Sequence, residues 1–257
     1  MPDIRFGEID FSGDGAFVWG AGQYSAPARS VDFIEVPGRN GDLLIDNGNY
    51  TNTTAIFDVV ITKDVEENTD RLKYLLYSQK GYQKLYDSDL KGFYRMASFN
   101  DGFEILSSEG GVVRIEFDCK PFKYDIVGDD VITIEYEDLN SDYFVLENPH
   151  FEESHPEITV YASHEKDSGT IQIEGGEAQI DGTVPKKYIN ISGHPTLWTH
   201  GTIDTDKQYF YRYSADKIDN LNRYISTADV TLKAGENRIK FDNGFEKIEI
   251  KPRWVTL

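Results

Sequence analysis

Val36-Pro37-Gly38-Arg39-Asn40-Gly41-Asp42-Leu43 carries two turn signals, Pro-Gly and Asn-Gly, one directly after the other. Gly supplies positive φ without steric cost, and Pro pre-sets φ on entering a turn. Ser30 to Val36 precedes the stretch, and Leu43-Leu44-Ile45-Asp46 follows it. Asp46-Asn47-Gly48 then makes a second reversal. The reading is β-structure folded back on itself, with an arm projecting between the turns. An ordinary hairpin in a sandwich has the same turn chemistry. Leu43, Leu44 and Ile45 are consecutive apolar residues, whereas a strand with one wet face alternates. These three are the candidate contact with a neighbouring copy, although a self-covering hairpin would also use them.

Other segments read as strands around this arm. Phe6 to Phe11 leads to a reversal at Ser12-Gly13-Asp14-Gly15, then Ala16 to Trp19. Thr54 to Thr62 is apolar on both faces apart from Asp58, which predicts a central strand. Val113 to Lys120 alternates, with Val113, Ile115, Phe117 and Cys119 on one side. Cys119 is therefore expected as a small buried hydrophobe. The spacing predicts one helix over Asp64 to Gln79, with Leu72, Leu75 and Leu76 on one face. Asp64 and Glu67 suit a capping-box variant, and Gly81 suits the C-terminal turn.

The 257 residues allow one large domain or two ordinary ones. Hydrophobic residues make up 39 %, and 16 Tyr and 15 Phe favour strands, so the expected class is mainly β. The net charge is −19. Residues 1–130 hold 23 acids and 13 bases, and residues 131–257 hold 22 and 13, so the acidity is no tail. A general basic surface for nucleic acid is excluded. Acidity of this kind suits solubility, and equally a channel through which DNA slides without specific binding. One cysteine excludes an intrachain disulfide. Residues 1–6 lack signal-peptide features and no apolar run reaches membrane-span length, so the expectation is cytoplasmic synthesis without a membrane partner. The sequons at Asn49, Asn52 and Asn190 then read as chance matches.

Four ordered motifs carry a family resemblance. The first is Val36 to Leu43 followed by Asn49-Tyr50. Next come Gly81-Tyr82-Gln83-Lys84-Leu85-Tyr86-Asp87-Ser88 and Phe93-Tyr94-Arg95-Met96-Ala97, and then Phe117-Asp118-Cys119-Lys120-Pro121-Phe122-Lys123-Tyr124. Together they resemble the N-terminal domain of siphophage distal tail (Dit) proteins. Asn148-Pro149, then Ser154-His155-Pro156-Glu157-Ile158, is similar to the start of the Dit C-terminal domain, and residues 232–239 and 252–257 to its end. The resemblance implies a ring-forming N-terminal β-sandwich with one helix and a hairpin arm over 1–130. A connecting strand over 131–147 and a galectin-like, jelly-roll-like sandwich over 148–257 would follow. No long insertion separates the motifs, so the extra carbohydrate-binding modules of some relatives are not expected.

The implied function is structural: the distal tail hub of a virion, a homohexameric ring joining tail tube to tail tip or baseplate. Implied partners are other copies, the major tail tube protein, a tail-associated tip protein and a receptor-binding or baseplate protein. The location is the distal end of the tail, after assembly in the host bacterial cytoplasm. A carbohydrate-binding adhesin recognising host cell-wall saccharide is the alternative.

In the second half, short strands are expected at Val131–Tyr136, Ile158–Ala162, Thr170–Glu174, Tyr188–Ser192, Tyr209–Tyr213, Val230–Leu232, Arg238–Phe241 and Lys247–Lys251. Asp242-Asn243-Gly244 is a hairpin signal for the last two, and Ser214 to Tyr224 is read as a short helix.

No enzyme is expected: G-x-S-x-G, H-E-x-x-H and P-loop patterns are absent. Asp87 to Gly92 begins like an EF-hand loop, but Lys91 and Ser98 stand at ligand positions. His150, Glu152, Glu153 and His155 cluster without a Cys and between prolines, and are read as an acidic turn with no metal or cofactor. Tyr209, Tyr211 and Tyr213 share one face of a strand, a row that suits saccharide stacking or, more commonly, packing.

Overall fold

The computed structural model describes residues 3–11, 16–107, 109–139, 142–163, 166–177, 179, 183–192, 198–214 and 217–257. Ser12 to Gly15, expected as a reversal, lie outside the described residues. The chain divides into two compact units, residues 1–124 with Leu257, and residues 125–256.

The first unit contains β1 (Ile4–Phe6), β2 (Ile9–Asp10), β3 (Ala16–Tyr24), β4 (Arg29–Ile34), β5 (Leu43–Tyr50) and β6 (Thr53–Ile61). Helix α1 (Val65–Ser78) follows, then β7 (Gln83–Asp87), β8 (Phe93–Ser107) and β9 (Val112–Asp125). One sheet runs β2-β1-β7-β8-β9-β6-β3. It curls so that strands far apart in its order meet at one ring. Phe117 of β9 lies 4.7 Å from Phe6 of β1 and 6.1 Å from Phe57 of β6. Val113, Ile115, Phe117 and Cys119 are all buried, as alternation requires. Asp58, the one charge in β6, faces Arg114 on β9 and accepts two bonds from its guanidinium, at 2.8 and 3.0 Å.

Helix α1 lays Leu76 on this core, with Leu72 and Leu75 partly covered. The expected capping box does not form. Asp64 adopts a left-handed φ of 42° and its carboxylate caps nothing. Gly81 takes φ 67°, the left-handed backbone expected just past the helix.

The second unit is a two-sheet sandwich. Its strands are β10 (Ile132–Glu135), β11 (Phe144–Asn148), β12 (Glu157–Ala162), β13 (Ser168–Gly175), β14 (Lys186–Ser192), β15 (His200–Asp204), β16 (Tyr209–Ser214), β17 (Lys217–Asn220), β18 (Gly235–Phe241) and β19 (Phe245–Lys251). The sheets run β10-β19-β12-β15-β16-β17 and β11-β18-β13-β14. Ile158, Val160, Ile203, Phe210, Ile248 and Ile250 from the first sheet share a core with Ile171, Ile173, Ile189, Ile191, Ile239 and Phe241 from the second.

Four expectations change here. Residues 131–147 are no free connection, because β10 and β11 pair with β19 and β18 inside the unit. Ser214 to Tyr224 holds β17 and a short 3₁₀ turn at Asn222–Tyr224 in place of a helix. Val230 to Leu232 makes only an isolated bridge, Leu232 to Ser154. Asp242-Asn243-Gly244 does turn, with Phe245 N–H donating to Asp242 O at 3.2 Å, but β18 and β19 belong to different sheets. The chain crosses the sandwich there. A Cβ on Gly244 would meet the Ser168 carbonyl oxygen at 2.2 Å, so the crossing needs a residue without one.

Candidate assembly surface

Among the described residues, strands β4 and β5 pair only with each other, as a two-stranded ribbon. Its tip is the Val36 to Asp42 turn. Gly38 and Gly41 hold φ of 82° and 80°, and Arg39 N–H donates to Val36 O at 3.1 Å. Its base is fastened by polar contacts. Thr51 N–H donates to Ala28 O at 2.9 Å, Asn47 Nδ2 donates to Ser30 Oγ and Asp32 Oδ2, and Arg29 pairs with Asp46 at 3.4 Å. Gly48, at φ 74°, donates to the Asp46 carboxylate, which is the reversal expected at Asp46-Asn47-Gly48.

Between tip and base the ribbon is apolar on both faces. Phe33 lies opposite Leu44, and Ile34 opposite Leu43. Phe33 is 65 % exposed and Leu44 54 %, and Ile34, Val36, Leu43 and Ile45 are also exposed. A two-stranded ribbon of this kind is marginal by itself. The sequence picked out Leu43, Leu44 and Ile45 and missed Phe33 and Ile34. The signal was available, since Phe33-Ile34 breaks alternation in the same way.

The tyrosine row shares one face of β16, as the period requires, but its rings take up one another. Tyr209 and Tyr211 stack at 5.5 Å and 18°, and Tyr213 meets Tyr211 edge-on. Burial, followed by the nearby Glu157 carboxylate, pushes the Tyr211 hydroxyl up to about 12. Beside it, Arg253 donates to Asp204 at 2.9 Å and to Glu157 at 2.6 Å. Burial works to raise the Asp204 pKa; the hydrogen bonds and charges of Arg253 and Lys207 outweigh it and hold it at about 2. On this face Tyr209 and Tyr211 are partly covered by each other and by the Arg253 network, and Tyr213 is exposed.

The His150 to His155 cluster does not converge. His150 Nε2 faces Asp125 Oδ2 at 3.0 Å, whereas Glu153 is bound to Lys233 and Thr231. Among the described residues no group of three or more His, Cys, Asp or Glu side chains is placed to hold a metal. Cys119 is buried, and desolvation pushes its thiol up to about 12, the state of a packed hydrophobe.

In the first unit, the core also encloses Arg95, 7 % exposed, whose Nε and Nη1 find no hydrogen-bond acceptor among the described residues. Its guanidinium lies over the Tyr24 ring at 5.1 Å, and Tyr24 donates to Asp87.

No family model matches the chain, and no curated protein matches it in sequence. Solved structures do match it in fold. The SPP1 Dit (gp 19.1) protein, described as a paradigm of hub adsorption apparatus in Gram-positive infecting phages, superposes with a TM-score of 0.67. The alignment covers 97 % of this chain and 98 % of that one, at 13 % identity. A chain of the phage P2 baseplate, in its activated conformation with Ca, gives 0.59 at 11 % identity, covering 97 % of each. Over nearly its whole length, therefore, the chain has the fold of a phage distal tail hub protein.

Proposed function

We propose that this chain is a structural subunit of a phage tail tip, a distal tail protein that assembles into a closed ring. The observation that carries the reading is the projecting apolar arm on a chain with the Dit fold. Apolar side chains on both faces of an isolated ribbon are costly in water and gain by lying on a second copy. An arm that meets a different patch of its neighbour makes a head-to-tail contact, which closes into a ring when the rotation allows. Six copies is the number the family resemblance supplies. In this reading Leu43, Leu44 and Ile45 bind the adjacent subunit, and the first unit, residues 1–124, forms the ring. Residues 125–256, with β10 and β11 paired inside them, serve as a second folded module.

The ring joins the tail tube protein on one side to a tip, baseplate or receptor-binding protein on the other. DNA passes through it without specific contacts, a role that suits a charge of −19. The work is scaffolding and involves no catalysis. Gold-labelled antibody against this chain, applied to intact virions under the electron microscope, tests the location. The expected label sits at the distal end of the tail. Label along the tube or on the capsid would overturn the assignment.

A further inference from the structure

The outer face of the β11-β18-β13-β14 sheet carries two open grooves that meet at one residue. One, of about 460 Å³, runs between Gln172 and Lys240 on the sheet and Tyr136 and Glu137 above it. The other, of about 390 Å³, is walled by Arg223 and Tyr224 and floored by Ser168, Asn190 and Ser192. Thr170 lines both. The register explains the alignment: Ser168 lies opposite Ser192, Thr170 opposite Asn190, and Gln172 opposite Tyr188. Lys240 is opposite Gln172 on the other side. Directly opposite residues share a face, so hydroxyl and amide groups form a polar track across three strands, roughly 10 Å from β18 to β14.

We propose that this track binds a saccharide chain. The outward strand positions present hydroxyls, carboxamides and Lys240, with Leu139 and Phe241 along one groove and Ile191 and Ile225 along the other, a polar lining edged by apolar groups such as the two sides of a sugar ring meet. Several of its groups are unclaimed among the described residues. The Ser168 and Ser192 hydroxyls have no side-chain partner. Thr170 donates to Asn190 Oδ1 at 3.0 Å, which turns the Asn190 amino group, a double donor, outward. Arg223 has no carboxylate partner in a chain of net charge −19 and is held by the adjacent Tyr224, its guanidinium 4.6 Å above the ring. At the other end Tyr136 is exposed and offers the ring that a sugar face stacks against. Donors on the floor, an aromatic wall and a fixed guanidinium are the elements of polyol recognition. This track is separate from the self-stacked Tyr209 row, and the proposal does not rest on ring formation.

The test screens the full chain on an array of bacterial cell-wall and capsular glycans, then titrates the best-retained glycan by calorimetry. The expected result is retention of at least one glycan. The Asn190→Ala/Arg223→Ala variant should weaken it tenfold or more, and Ser192→Trp, which fills the groove from solvent, should do the same. Tyr209→Ala/Tyr213→Ala should leave affinity within twofold. No retained glycan would overturn the proposal. So would affinity unchanged in both groove variants, or affinity lost only with the tyrosines. Native mass measured on the same samples keeps this result apart from the fate of the ring.

Discussion

Replacing Leu43 and Ile45 together by Asp tests the arm at the face it shares with Ile34. Both side chains are exposed and touch no core, so each unit should keep its fold and its melting temperature within about 2 °C. The interface should fail. Each side chain is a little over two-fifths exposed, so covering it on a neighbour contributes about 1 kcal/mol, roughly 2 kcal/mol for the pair. Two carboxylates carried into the same contact each cost at least about 2 kcal/mol to desolvate. The sum, about 6 kcal/mol per subunit contact, weakens association by roughly 10⁴-fold. Light scattering across a hundredfold concentration range should find the variant monomeric throughout, with an unchanged circular dichroism spectrum. A variant that assembles at the wild-type concentration would show that the arm is not the contact. One that loses its spectrum would show that the arm belongs to the fold.

Three further outcomes follow from packing and charge. Cys119 should resist thiol reagents in the native protein at pH 8 and react on unfolding, because burial raises its pKa to about 12; Cys119→Ala should cost about 1 kcal/mol in urea titration. Asp204 has its pKa depressed from 3.8 to about 2, so it contributes stability above the unfolded value and loses it as pH falls through the folded one. The second unit should therefore lose about 2 kcal/mol between pH 5 and pH 2, and Arg253→Ala should remove that part of the pH dependence while destabilising at pH 7. Gly244→Ala should cost more than about 2 kcal/mol by urea titration, since its Cβ would strike the Ser168 carbonyl oxygen at 2.2 Å.

Much of the fold was legible because the pleat has a period of two. Val113 to Cys119 announced a buried face and delivered it, and Leu43 to Ile45 announced an arm by refusing to alternate. What escaped depended on pairing partners that local pattern does not encode. Ile218, Leu221 and Ile225 fall at helical spacing, yet Ile218 lies opposite Tyr213 in an edge strand. Asp242-Asn243-Gly244 specified a reversal, but not that the strands on either side join different sheets. Short strands such as His200–Asp204, set among polar residues, showed no alternation long enough to read. For the site, the sequence identified half the apolar ribbon. It picked out the tyrosine row, with packing as its commoner use, and did not show the polar track, which exists only once β13, β14 and β18 pair.

Ring closure is measured most directly by native mass spectrometry of the wild-type chain at tens of micromolar. Six chains of 29.3 kDa should give one dominant species near 176 kDa, with no ladder of larger assemblies, because a closed ring has no free arm or free acceptor. A monomer that persists at every concentration, with or without a neighbouring tail protein, would contradict the ring, as would a ladder that grows without limit.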